Sequence, residues 1–269
     1  MNRLGISSSC YYPDPTETAF AKVCAAGVPA AEIFFNSTSE LSPSFVRELR
    51  ARADASGAEV VSVHPYASFA EGYWLFTSYE RRFTDGLEEQ KRFFEAMNLL
   101  GAKIYVLHGA KDDRNFFTIS DELYYDRFAR LAECAKSFGV VAAQENIVYY
   151  RSQSVAFLKG MRDYVGPEFR TVLDIKQARR SGVDVYEYLR ELGGSVCHLH
   201  LSDYTDEKDC VPPGEGKFDF IRLFDAMRRI GYEGDFIVEL YRHSYEDEAQ
   251  IVRAYEFLRS EFGDVKCEM

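Results

Sequence analysis

The 269-residue sequence predicts one α/β domain spanning residues 1–269, a parallel (β/α)8 barrel, on three observations. Short apolar or β-branched runs alternate with longer stretches of helical period. The alternation recurs eight times at an interval of about thirty residues. No linker or low-complexity stretch interrupts it. Strands separated by helices have parallel neighbours, and eight such units close most simply into a TIM barrel, which commonly takes about 250 residues.

The strands are expected at residues 4–8, 31–35, 59–64, 104–108, 140–145, 170–174, 196–201 and 236–240. Helix ends are marked between them. Ser120-Asp121-Glu122 opens a helix that closes at Gly139, and Gly27, Gly57, Gly101 and Gly231 punctuate others. The longest connections, residues 65–79, 109–119 and 202–218, follow strands and so fall on the face where barrels keep their active sites. The first carries Tyr66, Phe69, Tyr73, Trp74 and Phe76, aromatics that either roof a pocket or pack a surface helix. Trp74 is the candidate substrate contact among them.

Composition narrows the function classes. Hydrophobic content of 46% and charged content of 28% are those of a soluble enzyme, and no apolar run reaches the roughly 18 residues of a membrane span. The first residues, Met1 to Ile6, lead directly into a strand pattern, and the six cysteines at 10, 24, 134, 197, 210 and 267 form no Cys-x-x-Cys pair. A cytoplasmic chain with reduced thiols is expected. A net charge of −11 argues against a nucleic-acid partner, and no Gly-x-Gly-x-x-Gly or Walker-type loop points to a dinucleotide or nucleoside triphosphate.

Side chains of a barrel strand alternate between the interior and the helix layer, so position parity tells which point inward. Glu145 shares parity with Val141 and Ala143, Asp174 with Val172, His200 with His198, and Glu239 with Ile237. Strands five to eight therefore each end in an inward metal-capable group. Three carboxylates converging at low dielectric repel strongly unless a cation neutralises them. One divalent ion held by Glu145, Asp174, His200 and Glu239 is the expected cofactor; manganese is the first expectation, with magnesium or cobalt next and catalytic zinc compatible. The same parity turns Glu32, His64 and His108 inward on strands two to four as candidate substrate-binding groups, with His198 one step deeper as a structural residue.

With these residues located, the sequence resembles the xylose isomerase-like superfamily of TIM barrels, which includes sugar phosphate isomerases and epimerases, inosose isomerases and dehydratases, ketose 3-epimerases and the endonuclease IV group. The resemblance runs along nearly the whole chain. It is carried by Gln144-Glu145-Asn146, Leu173-Asp174-Ile175-Lys176-Gln177-Ala178, His198-Leu199-His200-Leu201-Ser202-Asp203, Pro213-Gly214-Glu215-Gly216 with Phe218-Asp219-Phe220, and Val238-Glu239-Leu240. It implies that Glu145 and Glu239 are also the catalytic pair, exchanging the substrate proton on opposite faces. The chain departs from the endonuclease group, which has further metal-binding histidines where this sequence holds Gln177 and Asp209-Cys210-Val211-Pro212-Pro213, so a trinuclear zinc cluster is unsupported. It departs from the ketose 3-epimerases at Asp206, where they carry an arginine, and at Gln177, where they carry a substrate-binding histidine. Gln177 remains able to hydrogen-bond a hydroxyl, though not to act as an acid or base.

The expected function is a divalent-metal-dependent isomerase or epimerase of a small sugar, sugar phosphate or keto-polyol, working by proton transfer through a metal-bound enediolate. Two alternatives stand beside it. One is an inosose-type dehydratase, with His64, His108 or Lys176 assisting the leaving hydroxyl; the other is a non-catalytic sugar-binding subunit. The partner is a small polyhydroxy carbonyl compound, with neither nucleic acid nor membrane, and homo-oligomers are common in such barrels. Arg242, His243 and Lys217 follow late strands where barrels often hold phosphate, although charges in such loops are usually solvated.

Overall fold

The computed structural model describes residues 2–66, 68–112 and 119–267. The side chains of Phe69 and Cys267, and residues 113–118 of the second long connection, lie outside the described residues. The strands are β1 (Leu4–Ser7), β2 (Ala30–Phe34), β3 (Glu59–His64), β4 (Ile104–Leu107), β5 (Val141–Glu145), β6 (Thr171–Asp174), β7 (Val196–Leu201) and β8 (Asp235–Val238). They pair in parallel in chain order and close into a barrel between β1 and β8. The helices are α1 (Thr16–Ala25), α2 (Pro43–Ser56), α3 (Ser68–Trp74), α4 (Glu80–Leu100), α5 (Asp121–Ser137), α6 (Val155–Val165), α7 (Ile175–Ser181), α8 (Val185–Leu192), α9 (Phe220–Arg229) and α10 (Ala249–Cys267).

Their ends follow the sequence signals. Ser120 caps α5 by accepting from the Leu123 amide, and Gly57 and Gly101 end α2 and α4 in the left-handed region at φ 78° and 86°. The staves are shorter than expected at several ends, so His108 and Glu239 stand one position beyond β4 and β8. Leu4, Ile6, Ile33, Leu107, Leu173, Leu199 and Val238 pack outward in the core shared with the helices.

Two smaller apolar groups fill the barrel interior: Ala30, Val61 and Ile237 on one side, and Val106, Ala143 and Val172 on the other. Gly5 is needed beside the first, because a Cβ there would stand 2.1 Å from the Ala30 carbonyl oxygen. Parity locates Ala143 and Val172 correctly, whereas Val141 is 37% exposed at the amino end of β5. Register shifts lie opposite Val61 and Cys197, and each inserts one residue below the polar layer while leaving His64 and His200 on the inner face. The five described cysteines other than Cys267 are unpaired thiols, and no helix among the described residues is long and apolar enough to cross a membrane.

Candidate active site

The carboxyl ends of β5 and β6 are clamped by amides that flank the inward carboxylates. Gln144 accepts from the Tyr124 hydroxyl at 2.9 Å and donates to the carbonyls of Leu107 and His108 at 3.1 and 2.9 Å. Asn146 accepts from the Asp174 amide at 2.7 Å and returns a bond to the Asp174 carbonyl at 3.1 Å. The two side chains beside Glu145 thus tie its strand to both neighbours. Asp174 caps α7, taking the Gln177 amide on Oδ1 at 2.9 Å, which leaves Oδ2 to face the barrel axis.

Glu145, Asp174, His200 and Glu239 converge as the parity argument requires. Each offers one ligand atom, and these four atoms lie within 4.8 Å of one another. His200 Nδ1 is 3.1 Å from Glu145 Oε1, 3.5 Å from Asp174 Oδ2 and 3.3 Å from Glu239 Oε2. Its other nitrogen, Nε2, is 3.1 Å from Glu32 Oε2. A carboxylate behind the ring would keep the proton on Nε2 and free Nδ1 to ligate when a metal ion takes the place of the Nδ1 proton, the usual support of a metal-ligating histidine. Three carboxylates and an oriented imidazole fit a divalent ion.

Glu32 therefore sits one layer below the place assigned to it. It is fully buried, accepts from Ser7 and Ser62 at 2.9 and 2.8 Å, and lies 3.4 Å from His198 Nε2. It backs His200 instead of lining the cavity. Parity gives direction but not depth, and this residue needed both.

The cavity above the quartet has a volume of about 470 Å3, within the usual range for small-molecule sites. Glu145, Glu239, His64, His108 and Gln177 line it, together with Phe34, Tyr66 and Tyr241 on the walls and Ser9, Asn36 and Arg242 as polar contacts. His64 and His108 meet edge to face at 4.5 Å and stand 3.9 and 3.1 Å from Glu145 Oε2. With Glu145 they form another group that could hold an ion. His64 is too far and His108 is not aligned to hydrogen-bond that oxygen, which is buried and has no hydrogen-bond partner among the described residues. Gln177 donates to the Tyr241 hydroxyl at 3.2 Å and accepts from the Val148 amide.

Trp74 does not line this cavity. It is half-buried on α3, with its backbone and Cβ pressed against Gly86 of α4, where an added Cβ would stand 3.0 Å away. Phe76 is buried and stacked on Tyr124, and Tyr73 is exposed under Arg82. Of the aromatic stretch, only Tyr66 among the described residues reaches the cavity wall. Lys217 pairs with the exposed Asp206, and His243 stacks on Tyr241.

Burial pushes all these carboxyls toward protonation, and the partners decide the outcome. For Glu145, the imidazoles of His108, His200 and His64 outweigh burial and hold it well below the usual carboxylate range. Lys176 and His200 do the same for Glu239, and His200 and His198 for Glu32. Burial prevails at Asp174, which is raised despite Lys176. His200 is raised well above the imidazole range because Glu32 and Glu239 overcome its desolvation. Burial and the neighbouring His64 lower His108.

Lys176 reaches the carboxylates although parity reasoning left it aside. Its ammonium donates to both Asp174 and Glu239, and it is fully buried. It lies two positions past Asp174, on the first turn of α7, where strand parity no longer applies. The Pro213-Gly214-Glu215-Gly216 turn also finds its reason here. Its amides at Gly214 and Gly216, with that of Phe218, bond the buried Asp203 carboxylate, and a Cβ at Gly216 would stand 2.3 Å from Asp203 Oδ1.

With this barrel and donor set in view, the family follows. Residues 20–261 match the xylose isomerase-like TIM barrel family, and the chain belongs to it. It is 23% identical over 249 residues to an uncharacterised protein of Methanocaldococcus jannaschii, covering 88% of this chain and 83% of that one. It is 26% identical over 167 residues to the L-ribulose-5-phosphate 3-epimerase UlaE of Shigella boydii, a match spanning 61% of this chain and 56% of the epimerase. Among solved structures it is similar to a D-tagatose 3-epimerase-like protein, with a TM-score of 0.81 at 20% identity over 99% of both chains. It is also similar to the 3-keto-D-glucoside 4-epimerase YcjR of E. coli, with a TM-score of 0.77 at 19% identity over 97% of this chain and 100% of that one.

Proposed function

We propose that this chain is a divalent-metal-dependent sugar epimerase or isomerase in which Glu145 and Glu239 exchange a carbon-bound proton of a small polyhydroxy carbonyl compound. The observation that carries this reading is the pairing of two inward glutamates from β5 and β8 on one cavity, both sharing a donor set with Asp174 and His200. The sugar epimerases among its relatives agree with it.

When bound, a divalent ion supplies a Lewis acid that polarises a substrate carbonyl and opposes the negative charge developing on its oxygen. The chain supplies the rest. Glu145 Oε2, buried without a hydrogen-bond partner among the described residues, is a base with an unengaged lone pair on one side of the cavity. Glu239, steadied by the Ser9 hydroxyl at 3.3 Å, holds or returns a proton on the other. His64, His108 and Gln177 offer hydrogen bonds that orient substrate hydroxyls, while Phe34, Tyr66 and Tyr241 keep water from the reacting carbon. Return of the proton to the same carbon epimerises; return to its neighbour isomerises.

Metal-loaded enzyme incubated in D2O with ketoses, ketose phosphates and inososes tests the reaction. Deuterium entering a carbon-bound position of an accepted substrate is expected. A product lighter by one water would select a dehydratase, and an accepted substrate turned over without wash-in would end the proton-transfer reading.

A further inference from the structure

A metal ion at the quartet leaves Lys176 without an obvious place. The side chain leaves the first turn of α7 and ends with its ammonium on Asp174 Oδ2 and Glu239 Oε2, two of the four proposed donors. It is 2% exposed, and these two carboxylates are its direct ion-pair partners among the described residues. A buried ammonium persists only when paired, and a converging set of buried carboxylates persists only when neutralised. Each solves the other's problem in the absence of metal. A divalent ion that draws on these oxygens weakens them as acceptors for the ammonium, and the two cations repel at close approach in a site of low dielectric.

There is somewhere for the ammonium to go. Lys176 also lines the substrate cavity beside Gln177, and its Nζ lies 5.4 Å from the centre of the Tyr241 ring. A short swing about its flexible stem keeps a cation against an aromatic face, which is a favourable contact for an ammonium leaving a carboxylate.

We propose that Lys176 is a tethered counter-ion of the metal site: it holds Asp174 and Glu239 in the metal-free enzyme, and an incoming divalent ion displaces it toward Tyr241 and the substrate. This rests on the metal-dependent reading above. It makes the metal exchangeable, because binding must break the two ion pairs that Lys176 makes with Asp174 and Glu239. It also means that loading the site delivers a positive charge to the cavity wall, where substrate oxygens lie.

Titration of metal-free wild type and Lys176→Met with Mn2+ by calorimetry tests the proposal. The methionine fills similar space without charge, so the variant should bind Mn2+ at least tenfold more tightly, and its metal-free form should melt lower while gaining more on loading. Equal or weaker binding by the variant overturns the proposal while leaving the metal reading intact. Failure of both proteins to bind Mn2+, Mg2+, Co2+ or Zn2+ overturns the metal reading and the proposal with it. A second measurement needs no substitution. Acetylation of Lys176 in wild type by an amine-reactive ester, followed by peptide mass spectrometry, should rise severalfold when Mn2+ is added; an unchanged yield contradicts displacement.

Discussion

The two halves of the barrel mouth use similar residues for different purposes. From β5 to β8, Glu145, Asp174, His200 and Glu239 point at one another and crowd their charge into one spot, which the Lys176 ammonium neutralises only in part. From β1 to β4, Ser7, Glu32, Ser62, His64 and His108 are nearly as buried, yet their charge is already matched. Glu32 is satisfied by two hydroxyls and two imidazoles, and His64 and His108 flank Glu145. An inward glutamate thus meets other carboxylates on one side and hydroxyls and imidazoles on the other, and these neighbours set what it can do.

The contrast can be broken most sharply at its acidic side. Glu145→Gln and Glu239→Gln should each lower kcat by about a thousandfold, the scale of a lost general base or acid, with solvent-deuterium exchange falling in parallel. Retention of exchange in either variant would remove that glutamate from the chemistry. Across the barrel the effect should be indirect. Glu32→Gln releases the His200 ring and should weaken metal affinity by about ten- to a hundredfold, with little change in kcat once metal is saturating. A kcat collapse at saturating metal would show that Glu32 touches the reaction itself.

Trp74 tests the boundary of the cavity. Packed on Gly86, it should contribute stability only, so Trp74→Ala should cost about 1–3 kcal/mol in denaturant unfolding and leave KM unchanged. A tenfold rise in KM would return it to the substrate. The smallest effect concerns Glu71, which is buried behind His108 and accepts from the Gly109 amide. Burial, only partly opposed by that amide, pushes its carboxyl up to about 8 from 4.5. The folded state therefore holds a proton that the unfolded chain gives up, and stability falls as pH rises from about 5 to 8. Glu71→Gln should flatten that decline, read as a melting-temperature difference of up to about eight degrees across the window. An identical pH slope in the variant would show that Glu71 is ionised in the fold.

Much of this was legible in the sequence because barrel strands obey a strict two-residue period. The staves lie within two residues of their expected ends, and parity alone selected Glu145, Asp174, His200 and Glu239. What escaped has physical causes. Glu32 and His200 both point inward, but only the stagger of the closed sheet puts one beneath the other. Lys176 belongs by sequence to a helix, and its long stem carries the ammonium back to the strand ends. Trp74 lies in an aromatic stretch whose composition suits a cavity wall and a helix interface equally, and the choice is made by a close approach to Gly86 on the next helix, which composition alone does not show.

The most direct measurement of the central claim is the metal content of purified protein by plasma mass spectrometry, on wild type beside Asp174→Ala and His200→Ala. The account predicts near one divalent ion per chain in wild type after reconstitution and its loss in both variants. No bound metal in reconstituted wild type, or full occupancy in both variants, would contradict it.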